Sequence, residues 1–264
     1  MKMEDLKGKV AVLVGCGVET GEPIARKLFE NGVKLVACDL RPDIKDFIEN
    51  IKKDYPGAEG YGKVYNATVE EEAKCLINEV VETFGTIDIM IYHAGVVVPA
   101  AFIEEAKESD YDKTFAVNTK GPMFIMKYTA PIMKKKKDGS IIITSSWFGR
   151  KGVPQWGPYC ASKAAVISLV QTVALELAEY CVRVNSIAPG DIENALHLNA
   201  IAKIAEKSGI TFEEMNQKVL YSIPMGKRAT GDDLANAVLY LASKEASGHV
   251  TAITLNVSGG CEFR

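Results

Sequence analysis

The sequence predicts a doubly wound α/β fold: one parallel sheet of seven strands with helices on both faces. Three observations carry that prediction. Seven short apolar runs recur along the chain, at residues 10–14, 34–38, 61–65, 87–92, 140–145, 182–188 and 251–257. Those at 10–14 and 87–92 are near-continuous apolar runs, the pattern of strands buried on both faces. Longer amphipathic stretches separate them, and a glycine-rich turn follows the first run.

Taken in order, Val-Ala-Val-Leu-Val at 10–14 is the first strand, and Gly15-Cys16-Gly17-Val18-Glu19-Thr20-Gly21 is the turn after it. Glycines let backbone approach a phosphate closely, and the helix beginning near Thr20 aims its positive end at the charge. The second run closes on Asp39, about 20 residues on, where a dinucleotide fingerprint places an acid against ribose hydroxyls. Residues 69–84 read as a helix, as do 164–177 and 232–242. Residues 191–229 are the one long break in the alternation, and such an insertion commonly folds over a ligand.

Composition limits the alternatives. The chain has 264 residues, 47% hydrophobic and 25% charged, enough for one domain spanning 1–264 with a substantial core. A net charge of -3 leaves no footprint for nucleic acid or an anionic membrane, and the run Lys134 to Lys137 reads as a solvated turn before a strand. No long apolar stretch follows Met1 to Lys7, and no stretch is expected to reach the roughly 20 apolar residues that span a bilayer, so the cytoplasm is the expected compartment. The cysteines, Cys16, Cys38, Cys75, Cys160, Cys181 and Cys261, lack metal-ligand spacing, so neither zinc nor a disulfide framework is expected.

Tyr159-Cys-Ala-Ser-Lys163 sets a phenol and an ammonium one helical turn apart on one face. A neighbouring cation favours the phenolate and brings a tyrosine toward the range where proton transfer is efficient. Ser145-Ser146 closes the fifth apolar run, and Asn118 lies earlier in Val117-Asn118-Thr119-Lys120-Gly121. With these residues the chain resembles the short-chain dehydrogenase/reductase family, classical type. The resemblance runs from the glycine turn through Ala94-Gly95 and Pro189-Gly190 to Asn256-Val257-Ser258-Gly259-Gly260.

That resemblance implies a Rossmann-type dinucleotide-binding and catalytic domain, with residues 191–229 as a substrate lid. It implies a catalytic tetrad of Asn118, Ser146, Tyr159 and Lys163. Hydride would pass between the nicotinamide and a carbinol or carbonyl carbon while Tyr159 exchanges the proton on oxygen. Ser146 would hold the substrate oxygen, Lys163 the ribose hydroxyls, and Asn118 a water. The cofactor would rest on Gly15, Gly17, Thr20, Gly21, Asp39, Ala94, Gly95, Tyr159, Lys163, Pro189, Gly190, Ile192 and Asn194.

Asp39 would repel a 2′-phosphate, so NAD is expected rather than NADP, with nearby Arg41 as the counterweight. The chain departs from the family at Val14 and Glu19, at Tyr92-His93 in place of Asn-Asn, and at Asn66 in place of an acid. A carboxylate beside a pyrophosphate repels it, so Glu19 is expected to point to solvent while Gly17 makes the close approach. These departures keep open a second reading, a catalytically silent dinucleotide-binding regulatory protein. Val96, Val97, Trp147, Phe148, Gln155 and Trp156 suggest a secondary alcohol or ketone on a hydrophobic or cyclic skeleton. The helix 164–177 is apolar nearly all round, which predicts a second subunit against it and matches the family's usual homodimer or homotetramer.

Overall fold

In the computed structural model, which describes residues 2–17 and 19–262, seven strands form one parallel sheet in the order β3-β2-β1-β4-β5-β6-β7. The strands are β1 (Val10–Val14), β2 (Lys34–Asp39), β3 (Gly60–Val64), β4 (Ile89–Tyr92), β5 (Gly139–Thr144), β6 (Val182–Pro189) and β7 (Thr254–Val257). Every residue of β1, β4, β5 and β6 is buried, so neither face of the central sheet meets water.

Helices cover both faces. On one side α1 (Gly21–Glu30), α2 (Ile44–Lys52) and α9 (Gly231–Ala242) enclose Leu13, Leu35, Ile91 and Ile142. On the other, α3 (Glu70–Phe84), α5 (Gly121–Lys136) and α6 (Gly157–Ala178) enclose Val12, Val36, Met90 and Ile141. Neighbouring residues of one strand thus feed opposite cores, as the pleat requires. The strand order reverses between β1 and β4, and in open parallel sheets a crevice forms at such a point beyond the carboxyl ends of the strands.

The helix α4 (Glu108–Phe115) runs into α5 through a single π turn, Ala116–Lys120, which contains Asn118. Inserted π turns re-aim side chains, and they recur at functional sites. The 191–229 stretch carries two helices, α7 (Ala195–Ser208) and α8 (Phe212–Ser222), capped by the side chains of Asn194 and Thr211. A short α10 (Lys244–Ser247) precedes β7.

Three expectations are corrected. The β7 strand starts at Thr254 rather than Thr251, because Ala252 takes a left-handed conformation (φ 63°) that breaks the extended run. The lysine run is the last turn of α5 and not a solvated turn, and Lys134, Lys135 and Lys136 lie where the helix dipole favours cations. Lys136 also pairs with Asp88. Finally, α6 is long and apolar enough by composition to cross a membrane, with 22 residues and a mean hydropathy of 1.4 over its most apolar 18, a pattern that helices packed in a core share. The polar residues Ser168, Gln171, Thr172 and Glu176 are too few to offset its Ala, Val, Ile and Leu content. One face of α6, Val166, Val170, Ala174 and Leu177, is buried in the core, whereas Leu175 is 75% exposed.

Candidate active site

The crevice at the switch point is a cavity of about 280 Å³ whose lining includes Gly15, Gly17, Thr20, Asp39, Ala94 and Gly95. Its walls are the segments that leave β1, β2, β3 and β4. Packing dictates two of the glycines in the first turn. A Cβ on Gly15 would strike the Ala94 backbone, and one on Gly21 would strike Gly15 and Cys16. Gly17 is different: no protein atom lies within 4 Å of where its Cβ would be, yet it lines the cavity. A bare backbone facing an open cradle fits the close approach of a phosphate, and the nearby start of α1 supplies a favourable dipole. The Tyr65 hydroxyl, buried with no hydrogen-bond partner, belongs to a residue of the same wall.

At one end of the cavity, Asp39 stands at the last position of β2, and its Oδ1 accepts a hydrogen bond from Arg41 N–H at 3.1 Å. The Arg41 side chain is turned elsewhere. Its Nε and Nη2 donate to the two Asp43 oxygens at 2.8 and 2.7 Å, and its guanidinium stacks 4.1 Å from the Phe47 ring centre. That fork raises the Arg41 pKa and lowers that of Asp43.

At the other end, Gly95 adjoins Lys163 and Asn118. A Cβ placed there would lie 3.4 Å from Lys163 Nζ and 3.5 Å from Asn118 Oδ1. Lys163, 3% exposed, donates to the Thr144 backbone oxygen at 2.9 Å and sits 5.8 Å from the Tyr159 ring centre. The Ser145 hydroxyl donates to the Lys163 carbonyl at 2.9 Å, which ties β5 to α6 at this turn. Ser146 lies two residues beyond β5 and caps the short helical turn Trp147–Gly149, where its Oγ accepts from Phe148 N–H at 3.2 Å.

Burial sets the protonation states. It pushes the Lys163 ammonium down to about 8, and it pushes the Tyr159 phenol up, while a hydrogen bond with Ser146 pulls the phenol back. The lysine was expected to depress the tyrosine pKa. In this geometry burial is the dominant influence on both groups, because each loses solvation in its charged form.

The Asn118 side chain has protein partners of its own. Its Oδ1 accepts from Val96 N–H at 2.8 Å, and its Nδ2 donates to Val96 O at 3.0 Å and Ser162 Oγ at 3.2 Å. The side chain straps the Gly95-Val96 loop to α6. The unusual Tyr92-His93 pair has work of its own: the Tyr92 hydroxyl donates to Val117 O at 2.6 Å, bracing the π turn, and His93 bridges Thr20 and Thr144.

Not every expected residue reaches the cavity. Gly190 is a glycine because a Cβ would collide with Ser258, and Pro189 is buried as the last residue of β6. Ile192 pairs with Ala229 in an isolated parallel bridge. Asn194, also expected beside the cofactor, caps α7: its Oδ1 accepts from His197 N–H at 2.7 Å, the ordinary use of an N-cap asparagine. Glu19 is exposed as expected, yet it is not idle, because its Oε1 accepts from Ala195 N–H at 2.7 Å.

The aromatic residues form a wall beside Tyr159. The Phe148 ring centre lies 5.0 Å from Trp147, 5.9 Å from Trp156 and 6.0 Å from Tyr159. No cluster able to hold a metal occurs among the described residues, and Cys16, Cys38 and Cys160 are buried free thiols.

Residues 19–262 match the family model described as enoyl-(acyl carrier protein) reductase. An uncharacterized oxidoreductase of Thermotoga maritima is 34% identical over 97% of this chain and 98% of its own length. A galactitol 2-dehydrogenase of Agrobacterium fabrum is 33% identical, with coverage of 97% and 98%. Among solved structures, an NAD+-bound xylitol dehydrogenase superposes with a TM-score of 0.90 at 28% identity, covering 97% of this chain and 99% of that one. Sequence, topology and these likenesses agree, and the chain belongs to the short-chain dehydrogenase/reductase family.

Proposed function

We propose that this chain is an NAD-linked oxidoreductase that interconverts a secondary alcohol and its ketone, with Asn118, Ser146, Tyr159 and Lys163 as its active site. The observation that carries the reading is the juxtaposition at Gly95, where one end of the cavity beside the glycine turn abuts Lys163 and Asn118. When bound, the nicotinamide supplies or accepts the hydride, and the protein contributes position and charge.

Gly15, Gly17 and Thr20 would hold the pyrophosphate, Asp39 the adenosine ribose, and Lys163 the second ribose. Ser146 Oγ would donate to the substrate oxygen, and Tyr159 would exchange the proton there. Below about pH 8 Lys163 keeps its charge, and that charge favours the phenolate as the proton leaves. The preference for NAD is supported by Asp39 on the cavity wall and by Arg41, which Asp43 and Phe47 hold away from any 2′-phosphate.

The wall of Trp147, Phe148 and Trp156 supports a substrate with a hydrophobic or cyclic skeleton, enclosed by α7 and α8 acting as a lid. Relatives named for galactitol and xylitol add linear polyols to the panel worth testing. Titration with NADH and NADPH by fluorescence, in the wild type and in Asp39→Ala, tests the reading. NADH binding that the substitution weakens, together with turnover that Tyr159→Phe abolishes, supports it. Tight NADH binding with no turnover across alcohols, cyclic ketones and polyols would favour the silent regulatory protein instead.

A further inference from the structure

A single imidazole joins the glycine turn to the strand that seats the lysine. His93 Nε2 lies 2.8 Å from Thr20 Oγ1, and Nδ1 lies 2.9 Å from Thr144 Oγ1. The backbone oxygen of Thr144 is the acceptor for Lys163 Nζ. Thr20 is the N-cap residue of α1, yet its hydroxyl makes no capping bond. A threonine at an N-cap ordinarily accepts from an amide two or three residues on. Here the third helical residue is Pro23, which has no N–H, and Glu22 N–H is already bonded to Gly17 O at 2.8 Å. The first turn of α1 is therefore short of amides for an anion, and the Thr20 hydroxyl on the cavity wall is a side-chain donor within that turn.

A hydroxyl has one proton, and its neighbours decide where that proton points. Neutral imidazole has one N–H and one lone pair. With the proton on Nδ1, Nε2 would take the Thr20 proton and leave oxygen lone pairs facing the cavity, which would repel a phosphate. With the proton on Nε2, Thr20 Oγ1 accepts from the ring and its own proton is released toward the cavity. The Thr144 hydroxyl then donates to Nδ1, and every partner is satisfied. Burial and the like charge of Lys163 hold the His93 pKa down to about 4, so the ring is neutral at ordinary pH.

We propose that His93 is a positioning residue whose Nε2–H, fixed in place by Thr144, turns the Thr20 hydroxyl into a donor for the pyrophosphate of the bound dinucleotide. This rests on the dinucleotide reading of the cavity. It adds a role for a side chain that neither touches the reacting atoms nor belongs to the tetrad, and it joins two segments 73 residues apart.

Calorimetric titration of NADH and ADP-ribose, with adenosine measured by its displacement of NADH, tests the proposal in Thr20→Val, His93→Leu, His93→Gln and the double variant T20V/H93L. Each of the first two should weaken NADH and ADP-ribose by about tenfold, the scale of one charge-assisted hydrogen bond, and leave adenosine unchanged. His93→Gln places an amide N–H close to the position of Nε2 and should recover most of the loss. The double variant should bind no more weakly than T20V alone, because both changes act through one hydroxyl. In the NADH complex, 15N spectra of histidine-labelled protein should show His93 protonated on Nε2.

A proton on Nδ1, additive losses in the double variant, or H93L binding NADH as tightly as the wild type would overturn the proposal while leaving the cofactor reading intact. Failure of the wild type to bind any dinucleotide would overturn both.

Discussion

Glu19 and Ala195, 176 positions apart, are joined by one hydrogen bond: Ala195 N–H donates to Glu19 Oε1 at 2.7 Å. The bond ties the turn after β1 to the first turn of α7, and it puts a carboxylate at a helix N-terminus, where the dipole favours an anion. The same charge lies on the loop that would hold a pyrophosphate.

Glu19→Gln keeps an acceptor for Ala195 and removes the charge. NADH affinity should rise a few-fold, as expected for relief of one screened repulsion. Glu19→Ala removes the acceptor as well, and amide hydrogen exchange in residues 195–199 should accelerate by about twofold, since a lost helix-terminal contact is worth about 0.5 kcal/mol. Unchanged exchange in E19A would mean that Asn194 alone holds the start of α7.

On the proposed reading, cofactor choice turns on what Arg41 is free to do. Because its fork is closed on Asp43 and its plane lies on Phe47, Arg41→Ala should leave NADH affinity within about twofold, as for other exposed ion pairs. Asp43→Ala frees the guanidinium. NADPH affinity relative to NADH should then rise by about tenfold, the scale of one new charge-assisted contact to a 2′-phosphate. Parallel titrations of the two cofactors check both outcomes.

The strands and most helices were legible because apolar runs and their spacing are local properties, and Tyr159, Lys163, Ser146 and Asn118 were legible as a motif. What each side chain does was less so. Asn118 depends on a π turn that no residue pattern announces, and its partner Val96 is 22 positions away. His93 read as a departure from the family, but its meaning lies in Thr20 and Thr144, which only the fold brings to it. Asn194 had a local signal that was passed over: an asparagine opening a helical stretch is an N-cap before it is a ligand. The lysine run was misread for the same reason, since cations gather in the last turn of a helix.

Two depressed pKa values predict opposite ends of the stability profile. For His93 the folded value is about 4 against 6.5, so between those values the unfolded chain binds more protons and stability falls as pH drops. His93→Gln lacks this loss. Relative to the wild type it should gain about 2 kcal/mol between pH 7 and pH 4, discounted for the part of the ring that faces the cavity. For Lys163 the folded value is about 8 against 10.5, so wild-type stability should rise with pH across that window. Compared with Lys163→Met, the wild type should gain about 3 kcal/mol between pH 7 and pH 10.5. Urea unfolding of the three proteins across pH gives the differences, in which the other titrating groups cancel.

The exposed face of α6 carries the expectation about assembly. One face is fixed by Val166, Val170 and Ala174 against the core, yet Leu175 is 75% exposed on the same helix. Met123 on α5 is 43% exposed and Tyr111 on α4 is 46% exposed. Apolar side chains left bare on neighbouring helices favour burial against a second copy, at about 25 cal/mol for each Å² covered. Leu175→Lys should therefore shift the protein to a smaller species in sedimentation at micromolar concentration. It should leave the far-ultraviolet circular dichroism unchanged, because the residue is outside the core of its own chain. A wild type that already sediments as a monomer would show that the α6 face is simply an apolar surface.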